Sequence, residues 1–521
     1  MPSAGFSRPR RSGLGLGGAA AILAGSGADD RPGEPSRETA ATHTNRMNLP
    51  SMGRKALLAC GWIVSASIAI PAPAEPRPPN ILLIMADDLG AETLAGYGNT
   101  VYSTPHLDRL AAEGARFENA YATPVCSPSR AMILTGLYPN RTGFMERLDS
   151  PKDVGRNNRL PVHLKTLGTV FQSAGYATAI AGKWHLGDFQ RHPDQPRSHG
   201  FGEYCLWVQY WDGVLQSRYY GPHFWENGRY HVEDQQVFGP DYEAGFLMEF
   251  MERNRERPFF AYFPMNLIHS PIIAPPGDHA LAESRYPADL GAKERRIGHM
   301  ITYMDAVVGR LLAKLAALGL AENTLVIFTG DNGTSGDLTS RLGDFHLKGG
   351  KRTMNEAGTR VPLIGRWPGR IPPGRRDAFI TLMDLLPTLA SVARIPVRHE
   401  VDGMDLSHTL FNTAGKDRDY CFMAFEGDVC FVRDRHRRLH EDGRLYDVPV
   451  TNNEARYSMR LAEVAGPHEA ARVKLQARLD EFMKIKQTDT SYTIIPFGTN
   501  GDNFKNAQQR AAGTPGSAGP R

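Results

Sequence analysis

Short apolar runs alternate along the chain with stretches of helical periodicity, starting at residue 80. Four of these runs end in polar residues, and they span residues 81–88, 177–184, 259–266 and 324–332. A short continuous apolar run is typical of a strand that is buried on both faces. Residues 106–117 and 297–319 instead read as helices. Strands that alternate with helices predict an α/β fold with a large, mostly parallel central sheet flanked by helices.

The pattern changes after residue 395 to shorter apolar stretches, followed by one predicted helix at about residues 461–485. We therefore predict a main domain over residues 78–395 and a smaller C-terminal α+β subdomain over residues 396–490. Residues 491–521 are rich in small and polar residues, which indicates a polar tail.

Residues 1–77 form a leader that we expect to carry no catalytic fold. Two basic residues at 54–55 precede an apolar stretch at 56–70, and the small residues at 72–74 resemble a cleavage site. The stretch is shorter than the roughly 20 apolar residues of a membrane span. It indicates a signal peptide at about residues 52–74, with an uncleaved anchor as the alternative. The true start is then Met47 or Met52, unless residues 10–11 begin a twin-arginine signal. Either leader predicts export, to the periplasm or the medium, without stable membrane insertion.

Composition excludes several classes of protein. Lys and Arg number 60 against 56 Asp and Glu, so there is no reason to expect a nucleic-acid partner. Five cysteines are too few for a disulfide scaffold. Cys421 and Cys430 could still pair across a hairpin in an oxidising compartment.

Polar side chains follow the predicted strands at the points where the strands end. Lys183 and His185 follow the second strand, and His269 follows the third. The first and fourth strands end in three carboxylates and one amide, which are Asp87, Asp88, Asp331 and Asn332. Function in parallel sheets gathers beyond the carboxyl ends of the strands. These four side chains predict an all-oxygen site for a hard divalent cation.

The most specific string runs from Cys126 to Arg130 and reads Cys-Ser-Pro-Ser-Arg, with Leu-Thr-Gly shortly after it. A helix is predicted from about Ser129, so unpaired backbone N–H groups would surround Cys126 and favour an anion there. Arg130 follows Cys126 by one helical turn, and its guanidinium can lie beside the same side chain.

This string resembles the sulfatase signature Cys-x-Pro-x-Arg, and further motifs follow in family order over about residues 78–450. The segment around Lys183 and His185 is similar to the family's Gly-Lys-x-His motif, and His269 matches a second family histidine. Lys351 aligns with the catalytic lysine that precedes Glu-Gly-Gly-x-Arg-Val-Pro, where Ala357 replaces the first glycine. The resemblance implies an alkaline-phosphatase-like sandwich with a smaller C-terminal subdomain.

The resemblance also implies the cofactors and the roles of the residues. The family cysteine is oxidised to formylglycine by a formylglycine-generating maturation enzyme, which makes Cys126 the modified residue. The implied metal is Ca²⁺, with Mg²⁺ as the alternative, and its implied ligands are Asp87, Asp88, Cys126, Asp331 and Asn332. The implied catalytic residues are Cys126, Arg130, Lys183, His185, His269 and Lys351.

The implied reaction is hydrolysis of the sulfate monoester of an aryl or carbohydrate alcohol, from a sulfated small molecule or glycan. The hydrated formylglycine attacks sulfur, Arg130 orients it, and the metal and both lysines hold the sulfuryl oxygens. His269 is expected to protonate the departing oxygen, and His185 to accept a proton as sulfate is eliminated.

Three questions remain open from the sequence. A formylglycine-dependent phosphonate monoester or phosphodiester hydrolase would share the same motifs, and a non-catalytic carbohydrate-binding protein is a further alternative. The aromatic segment at residues 204–230 could line the substrate pocket or pack onto the core. The natural substrate is not determined.

Overall fold

The computed structural model describes residues 77–144, 148, 159–277, 284–425, 429–449, 456–458, 460–461 and 466–488. The predicted signal peptide and the polar tail lie outside these described residues. No helix in the described ranges is long and apolar enough to cross a membrane.

A mixed ten-stranded sheet forms the centre of the main domain. In spatial order its strands are β14 (Gly374–Thr381), β2 (Ala115–Tyr121), β13 (Leu363–Arg366), β10 (Thr324–Gly330), β1 (Asn80–Ala86), β9 (Phe259–Pro264), β3 (Ala177–Gly182), β4 (Glu203–Trp207), β7 (His223–Glu226) and β8 (Arg229–Val232). Strands β10, β1, β9, β3 and β4 run parallel, as do β14 and β2. Antiparallel pairs flank the parallel centre on both sides. The predicted large sheet is confirmed, and its four predicted strands are neighbours.

The remaining strands form smaller sheets. Two hairpins are β5 (Tyr210–Trp211) with β6 (Val214–Leu215), and β11 (Thr339–Leu342) with β12 (Phe345–Lys348). The C-terminal antiparallel sheet contains β15 (Cys421–Phe425), β16 (Val429–Arg433), β17 (Arg437–His440), β18 (Leu445–Asp447) and β19 (Arg460–Leu461). The strands of the predicted C-terminal α+β subdomain therefore form an antiparallel sheet.

Helices cover the main sheet and the C-terminal sheet. They are α1 (Pro105–Ala112), α2 (Cys126–Thr135), α3 (Pro139–Thr142), α4 (Leu167–Ser173), α5 (Gln195–Ser198), α6 (Gly239–Arg253), α7 (Ala292–Ala317), α8 (Glu356–Thr359), α9 (Leu385–Val392), α10 (Ser407–Phe411) and α11 (Pro467–Thr488). Short 3₁₀ turns lie at Ala91–Thr93, Ala95–Tyr97, Ala321–Asn323 and Leu382–Asp384.

Both faces of the main sheet are buried, which explains why its strands are apolar without alternation. Along β1, Ile81 and Leu83 belong to the apolar cluster on one face, and Leu82 and Ile84 to the cluster on the other. Successive side chains of a strand point to opposite faces, so a strand covered on both sides must be apolar at every position.

The sequence prediction differs from the structure at several helix boundaries. The helix predicted over residues 297–319 begins at Ala292, and the one predicted from about Ser129 begins at Cys126. The helix predicted over residues 106–117 ends at Ala112, because Gly114 brings the start of β2 against β13. A Cβ atom on Gly114 would lie 2.3 Å from the carbonyl oxygen of Gly365, so only glycine fits this close approach. The C-terminal helix begins at Pro467 rather than near residue 461, which belongs to β19.

The possible disulfide between Cys421 and Cys430 is not formed. The two cysteines do lie on paired strands, but Cys421 stands opposite Arg433 and Cys430 opposite Ala424. An offset of three residues places the two side chains on opposite faces of the sheet. The Sγ atom of Cys430 instead lies 2.8 Å from Oε2 of Glu441.

Candidate active site

The carboxyl ends of four adjacent parallel strands meet at one edge of the main sheet. Strands β10, β1, β9 and β3 are neighbours in that order, and the polar residues predicted to carry function follow each of them. The N-terminus of α2, which begins at Cys126, lies at the same edge. The fold therefore brings all the predicted site residues together, including Lys351 from the loop after β12.

Buried oxygen atoms without hydrogen-bond partners mark the centre of the site. In the described part of the chain, neither Oδ1 of Asp87 nor Oδ1 of Asn332 has a hydrogen-bond partner, although both are buried. Leaving a polar atom buried and unsatisfied is costly, and native proteins do so rarely. Asp87, Asp88, Cys126 and His269 each offer one ligand atom, and these atoms all lie within 4.8 Å of one another. These four side chains could bind one divalent cation. Asp87, Asp88 and Cys126 are predicted metal ligands, whereas His269 is predicted as a catalytic residue and not as a ligand.

Asp331 lies beside this group and is held by hydrogen bonds. Its Oδ2 accepts from Nη2 and Nε of Arg130 at 2.7 and 3.1 Å, and its Oδ1 accepts from the backbone N–H of Asp88 at 3.0 Å. Burial and the neighbouring Asp87 carboxylate raise the pKa of Asp331 to about 7. Asp88 itself adopts a φ of 61°, a left-handed conformation that is uncommon outside glycine. The turn after β1 is thus bent so that both of its carboxylates reach the site.

Each carboxylate of the site has a cationic partner. Nζ of Lys183 is 2.7 Å from Oδ2 of Asp87, and Nζ of Lys351 is 2.5 Å from Oδ1 of Asp88. Burial alone would raise the pKa of Asp87, but Lys183, His269 and Arg130 outweigh it and hold that pKa well below its usual range. Asp87 is therefore ionised and able to bind a cation.

The thiol of Cys126 is buried, and its surroundings do not favour thiolate chemistry. Its side chain is 1% exposed, and burial raises the pKa of the thiol to about 12. Reactive cysteines have a lowered pKa, because the thiolate is the nucleophile. Arg130, one turn along α2, also donates from Nη1 to the backbone oxygen of Lys183 at 2.8 Å. The arginine thus joins the helix that carries Cys126 to the strand ends that carry Asp331 and Lys183.

Lys183 and His185 depend on a turn that only glycine can begin. Gly182 has a φ of 120°, and a Cβ atom there would lie 2.1 Å from the backbone oxygen of Pro264. His185 also has a positive φ, at 57°. Strained backbone of this kind clusters at functional sites.

The hydrogen bonds of His185 define which of its ring nitrogens carries the proton. Its Nε2 is 2.7 Å from the backbone oxygen of Leu148, which can only accept, so Nε2 is the protonated nitrogen. Nδ1 then has a lone pair, and it lies 3.2 Å from Oγ of Ser127, the residue after Cys126. Burial and the cations of Lys183 and Arg130 hold the pKa of His185 well below its usual range. His185 is thus a neutral ring with an acceptor on the Cys126 side.

His269 and Lys351 approach Asp88 from the other side. Nε2 of His269 is 3.7 Å from Oδ2 of Asp88, and burial lowers the pKa of the ring to about 4. The loop that carries Lys351 is hydrogen-bonded to two other loops of the site. The N–H of Lys351 donates to the oxygen of Thr334 near Asn332, and the N–H of Arg352 donates to the oxygen of Pro124 near Cys126, each at 2.9 Å.

Two residues that were not predicted for the site contact His269, and both belong to the aromatic segment at residues 204–230: they are Arg218 and Tyr219. Nη1 of Arg218 is 3.0 Å from Nδ1 of His269, and the hydroxyl of Tyr219 is 2.5 Å from the backbone oxygen of His269. Other aromatic side chains of the segment pack on one another, with the rings of Trp211 and Tyr230 stacked at 3.9 Å. The segment therefore packs at the sheet edge and also contributes to the site. An arginine within such an aromatic run was the available signal.

These features define a class of enzyme. A mixed α/β sheet, a cluster of acidic and amide oxygens at its carboxyl edge, and a buried cysteine at a helix N-terminus are those of an alkaline-phosphatase-like hydrolase. Comparison with known proteins identifies the family within that class. Residues 79–395 match the family model described as Sulfatase.

Characterised relatives agree with the family model. The chain is 35% identical to N-acetylgalactosamine-6-sulfatase of Canis lupus familiaris over 71% of its own length and 73% of the relative. It is 35% identical to human arylsulfatase A over 66% of its length and 70% of that protein. The crystal structure of Ps i-CgsB is similar, with a TM-score of 0.68, 25% identity, and coverage of 84% of this chain and 98% of that one. The chain belongs to the sulfatase family and is a sulfuric ester hydrolase.

Proposed function

We propose that the protein is an exported sulfatase that hydrolyses the sulfate monoester of a carbohydrate or aryl alcohol, using formylglycine at position 126 and one divalent cation. The observation that carries the proposal is the pair of buried, unpartnered oxygens on Asp87 and Asn332. Asp87 belongs to the same cluster as Cys126, whose Sγ lies within 4.8 Å of an oxygen of Asp87. Asn332 adjoins this cluster, since its Nδ2 donates to Oδ1 of Asp88 at 2.8 Å. The substrate class follows from the names of the relatives, which act on N-acetylgalactosamine 6-sulfate and on aryl sulfates.

Asp87, Asp88, Asp331 and Asn332 would hold the cation, together with the side chain at position 126. Carboxylate and amide oxygens are the ligands that Ca²⁺ prefers, and Mg²⁺ is the alternative. A bound divalent cation supplies Lewis-acid polarisation of the sulfuryl oxygens and neutralises their charge. Lys183 and Lys351 would stabilise the same oxygens, since their ammonium groups already face the cluster.

Formylglycine supplies a hydrated aldehyde, of which one hydroxyl can attack sulfur while the other allows sulfate to be expelled. Arg130 would orient the residue, because its guanidinium is fixed between Asp331 and the backbone of Lys183. Conversion of Cys126 requires a formylglycine-generating maturation enzyme as a partner.

Two histidines would move protons on opposite sides of the sulfur. His269 would donate a proton to the departing alcohol oxygen. Because burial lowers the pKa of its ring to about 4, the protonated form would be a strong acid but a minor species at neutral pH. His185 would accept a proton during sulfate elimination, because the lone pair of its Nδ1 faces Ser127, next to the nucleophile. The neutral state of His185 suits an acceptor.

The test combines peptide mass with activity. The tryptic peptide that follows Arg116 and ends at Arg130 should be lighter by about 18 Da than the cysteine form, since a thiol becomes an aldehyde. Cys126→Ala should abolish hydrolysis of 4-nitrophenyl sulfate. Cys205→Ala, which removes a thiol from the buried strand β4, should leave both results unchanged.

Two results would overturn the proposal. One is an active preparation in which the peptide is entirely unmodified cysteine. The other is faster turnover of an aryl phosphodiester or phosphonate monoester than of the matching aryl sulfate, which would favour the alternative hydrolase. Export is tested separately by N-terminal sequencing of the mature protein, which should begin near residue 75.

A further inference from the structure

Arg218 brings a fourth cationic side chain to the site, from a part of the chain that none of the motifs covers. Its guanidinium lies on the His269 side of the cluster, with Nη1 3.0 Å from Nδ1 of His269 and 4.0 Å from Oδ2 of Asp87. The residue is 9% exposed. It stands directly before Tyr219, whose hydroxyl holds the backbone of the His269 loop.

Unlike the other three cations, Arg218 has no carboxylate at hydrogen-bonding distance among the described residues. Arg130 is paired with Asp331, Lys183 with Asp87, and Lys351 with Asp88, at distances from 2.5 to 2.7 Å. The site therefore holds one more cation than it has carboxylates. A divalent metal would increase this positive excess, while a sulfate monoester brings only one negative charge. The charge balance favours a substrate with a further anionic group.

The guanidinium of Arg218 is held in one orientation and still has unused N–H donors. It stacks on the indole of Trp207, with its carbon 4.0 Å from the ring centroid, and such a contact holds the planar group in one orientation. Nη1 faces His269, whereas Nε and Nη2 have no acceptor in the part of the chain that the structure describes. Arginine presents these donors as a planar fork that matches a carboxylate or a sulfate in two parallel hydrogen bonds.

We propose that Arg218 is a specificity-determining residue that binds a second anionic group, a carboxylate or another sulfate, on the alcohol part of the substrate next to the ester that is cleaved. The position follows from its contact with His269, the residue proposed to protonate the departing alcohol. This inference rests on the proposed sulfatase function. It narrows the substrate to a sulfate ester that carries an adjacent negative charge, as in an acidic or multiply sulfated sugar.

The experiment compares two pairs of substrates that differ in one anionic group. The pairs are 4-nitrophenyl sulfate with 2-carboxy-4-nitrophenyl sulfate, and N-acetylgalactosamine 6-sulfate with its 4,6-disulfate. Arg218→Gln should lower kcat/KM for the doubly anionic member by about 10- to 100-fold, which corresponds to the loss of a charge-assisted bidentate hydrogen bond. The singly charged member should lose less than the doubly anionic member, so the ratio of the two kcat/KM values is the readout. The loss should appear mainly in KM, because the contact is made in the ground state as well.

The variants are chosen so that folding does not obscure the result. The ratio of the two rates within one variant is independent of how much protein is folded. Arg218→Lys keeps the positive charge but loses the planar pair of N–H donors, and it should give an intermediate ratio. Arg229→Gln removes an exposed cation from the start of β8, away from the carboxyl ends of the parallel strands, and it should keep the wild-type ratio.

Binding provides a second measurement. Titration of the 4,6-disulfate and the 6-sulfate into Cys126→Ala protein should show tighter binding of the disulfate, and adding Arg218→Gln should remove the difference. Equal losses of kcat/KM on both members of a pair would overturn the inference, since Arg218 would then serve the cleaved ester itself. A loss that depends only on the basicity of the leaving group would also overturn it, because Arg218 would then act through His269. Wild-type protein that is inactive on all four esters would refute the proposed function and this inference with it.

Discussion

Glu356 ties the C-terminal sheet to the loop that carries Lys351, and replacing it with glutamine should destabilise the protein. The carboxylate is fully buried. Its Oε1 accepts hydrogen bonds from Nη1 of Arg433 and from Nη2 of Arg438, the latter at 2.7 Å, and its Oε2 accepts from the hydroxyl of Tyr121 at 2.9 Å. Burial alone would raise the pKa of Glu356, but the two arginines outweigh it and lower that pKa.

The structure sets the size of the effect. Glu356→Gln keeps the volume and one acceptor, so the main loss is the negative charge that compensates two buried guanidinium groups. Removing one partner of a buried ion pair costs about 3–5 kcal/mol of the free energy of unfolding, because the remaining charge is left uncompensated. Arg438→Met removes one of the two guanidinium groups that Glu356→Gln leaves uncompensated. The double variant should therefore recover part of the lost free energy of unfolding.

The assay is urea unfolding followed by fluorescence, with limited proteolysis of the native protein as a second readout. Glu469→Gln is the matched control: it removes a glutamate that pairs with Arg472 on the exposed surface of α11, and it should leave the urea midpoint unchanged. Faster cleavage in residues 349–355 is expected for Glu356→Gln. An unchanged midpoint for Glu356→Gln, or a double variant less stable than the single one, would refute the reasoning.

Other predictions concern the metal, the proton transfers and the pH dependence of stability. Chelation should abolish hydrolysis and Ca²⁺ should restore it, whereas full activity in protein shown to be metal-free by elemental analysis would contradict the metal site. His269→Ala should lose about 10²–10⁴-fold with a sugar sulfate and far less with 4-nitrophenyl sulfate, because a stable phenolate needs little protonation. His185→Ala should slow both esters equally and trap sulfated enzyme; a steeper leaving-group dependence for His185→Ala would reverse the assignment. Burial lowers the pKa of His199 from 6.5 to about 4, so the unfolded chain binds more protons between these pH values and stability falls as the pH drops through them. His199→Gln should flatten this part of the profile in urea unfolding, and an unchanged slope would exclude His199 as its source.

The parts of the fold that sequence predicts well are those with a local cause. A strand buried on both faces must be apolar throughout, so β1 and β10 are visible as continuous runs that end at Asp87 and Asp331. The parallel arrangement then brings those strand ends together, which is why the acidic cluster could be predicted without coordinates. The boundary at Gly114 was missed because its cause is the backbone of Gly365, about 250 residues away along the chain.

The parts that sequence does not predict depend on pairings between distant segments. Arg218 meets His269 across 51 residues, and Arg433 meets Glu356 across 77. The aromatic run around Arg218 makes that arginine noticeable, but no local feature identifies the partner of Arg218 or of Arg433. The register of β15 against β16 is also invisible in the sequence, and it alone decides that Cys421 and Cys430 face apart.

The pairing of cations with carboxylates explains how three acidic side chains can share one buried site. Three ionised carboxylates in an apolar environment would repel one another and lose their hydration, and both effects raise their pKa values. Lys183, Lys351 and Arg130 offset this cost one by one, and each of them comes from a different element of the chain. For Asp331 the compensation is incomplete, since burial and Asp87 raise its pKa to about 7 despite the neighbouring Arg130. In the proposed mechanism the two lysines also hold the sulfuryl oxygens, so the same residues would both stabilise the buried carboxylates and bind the charged substrate.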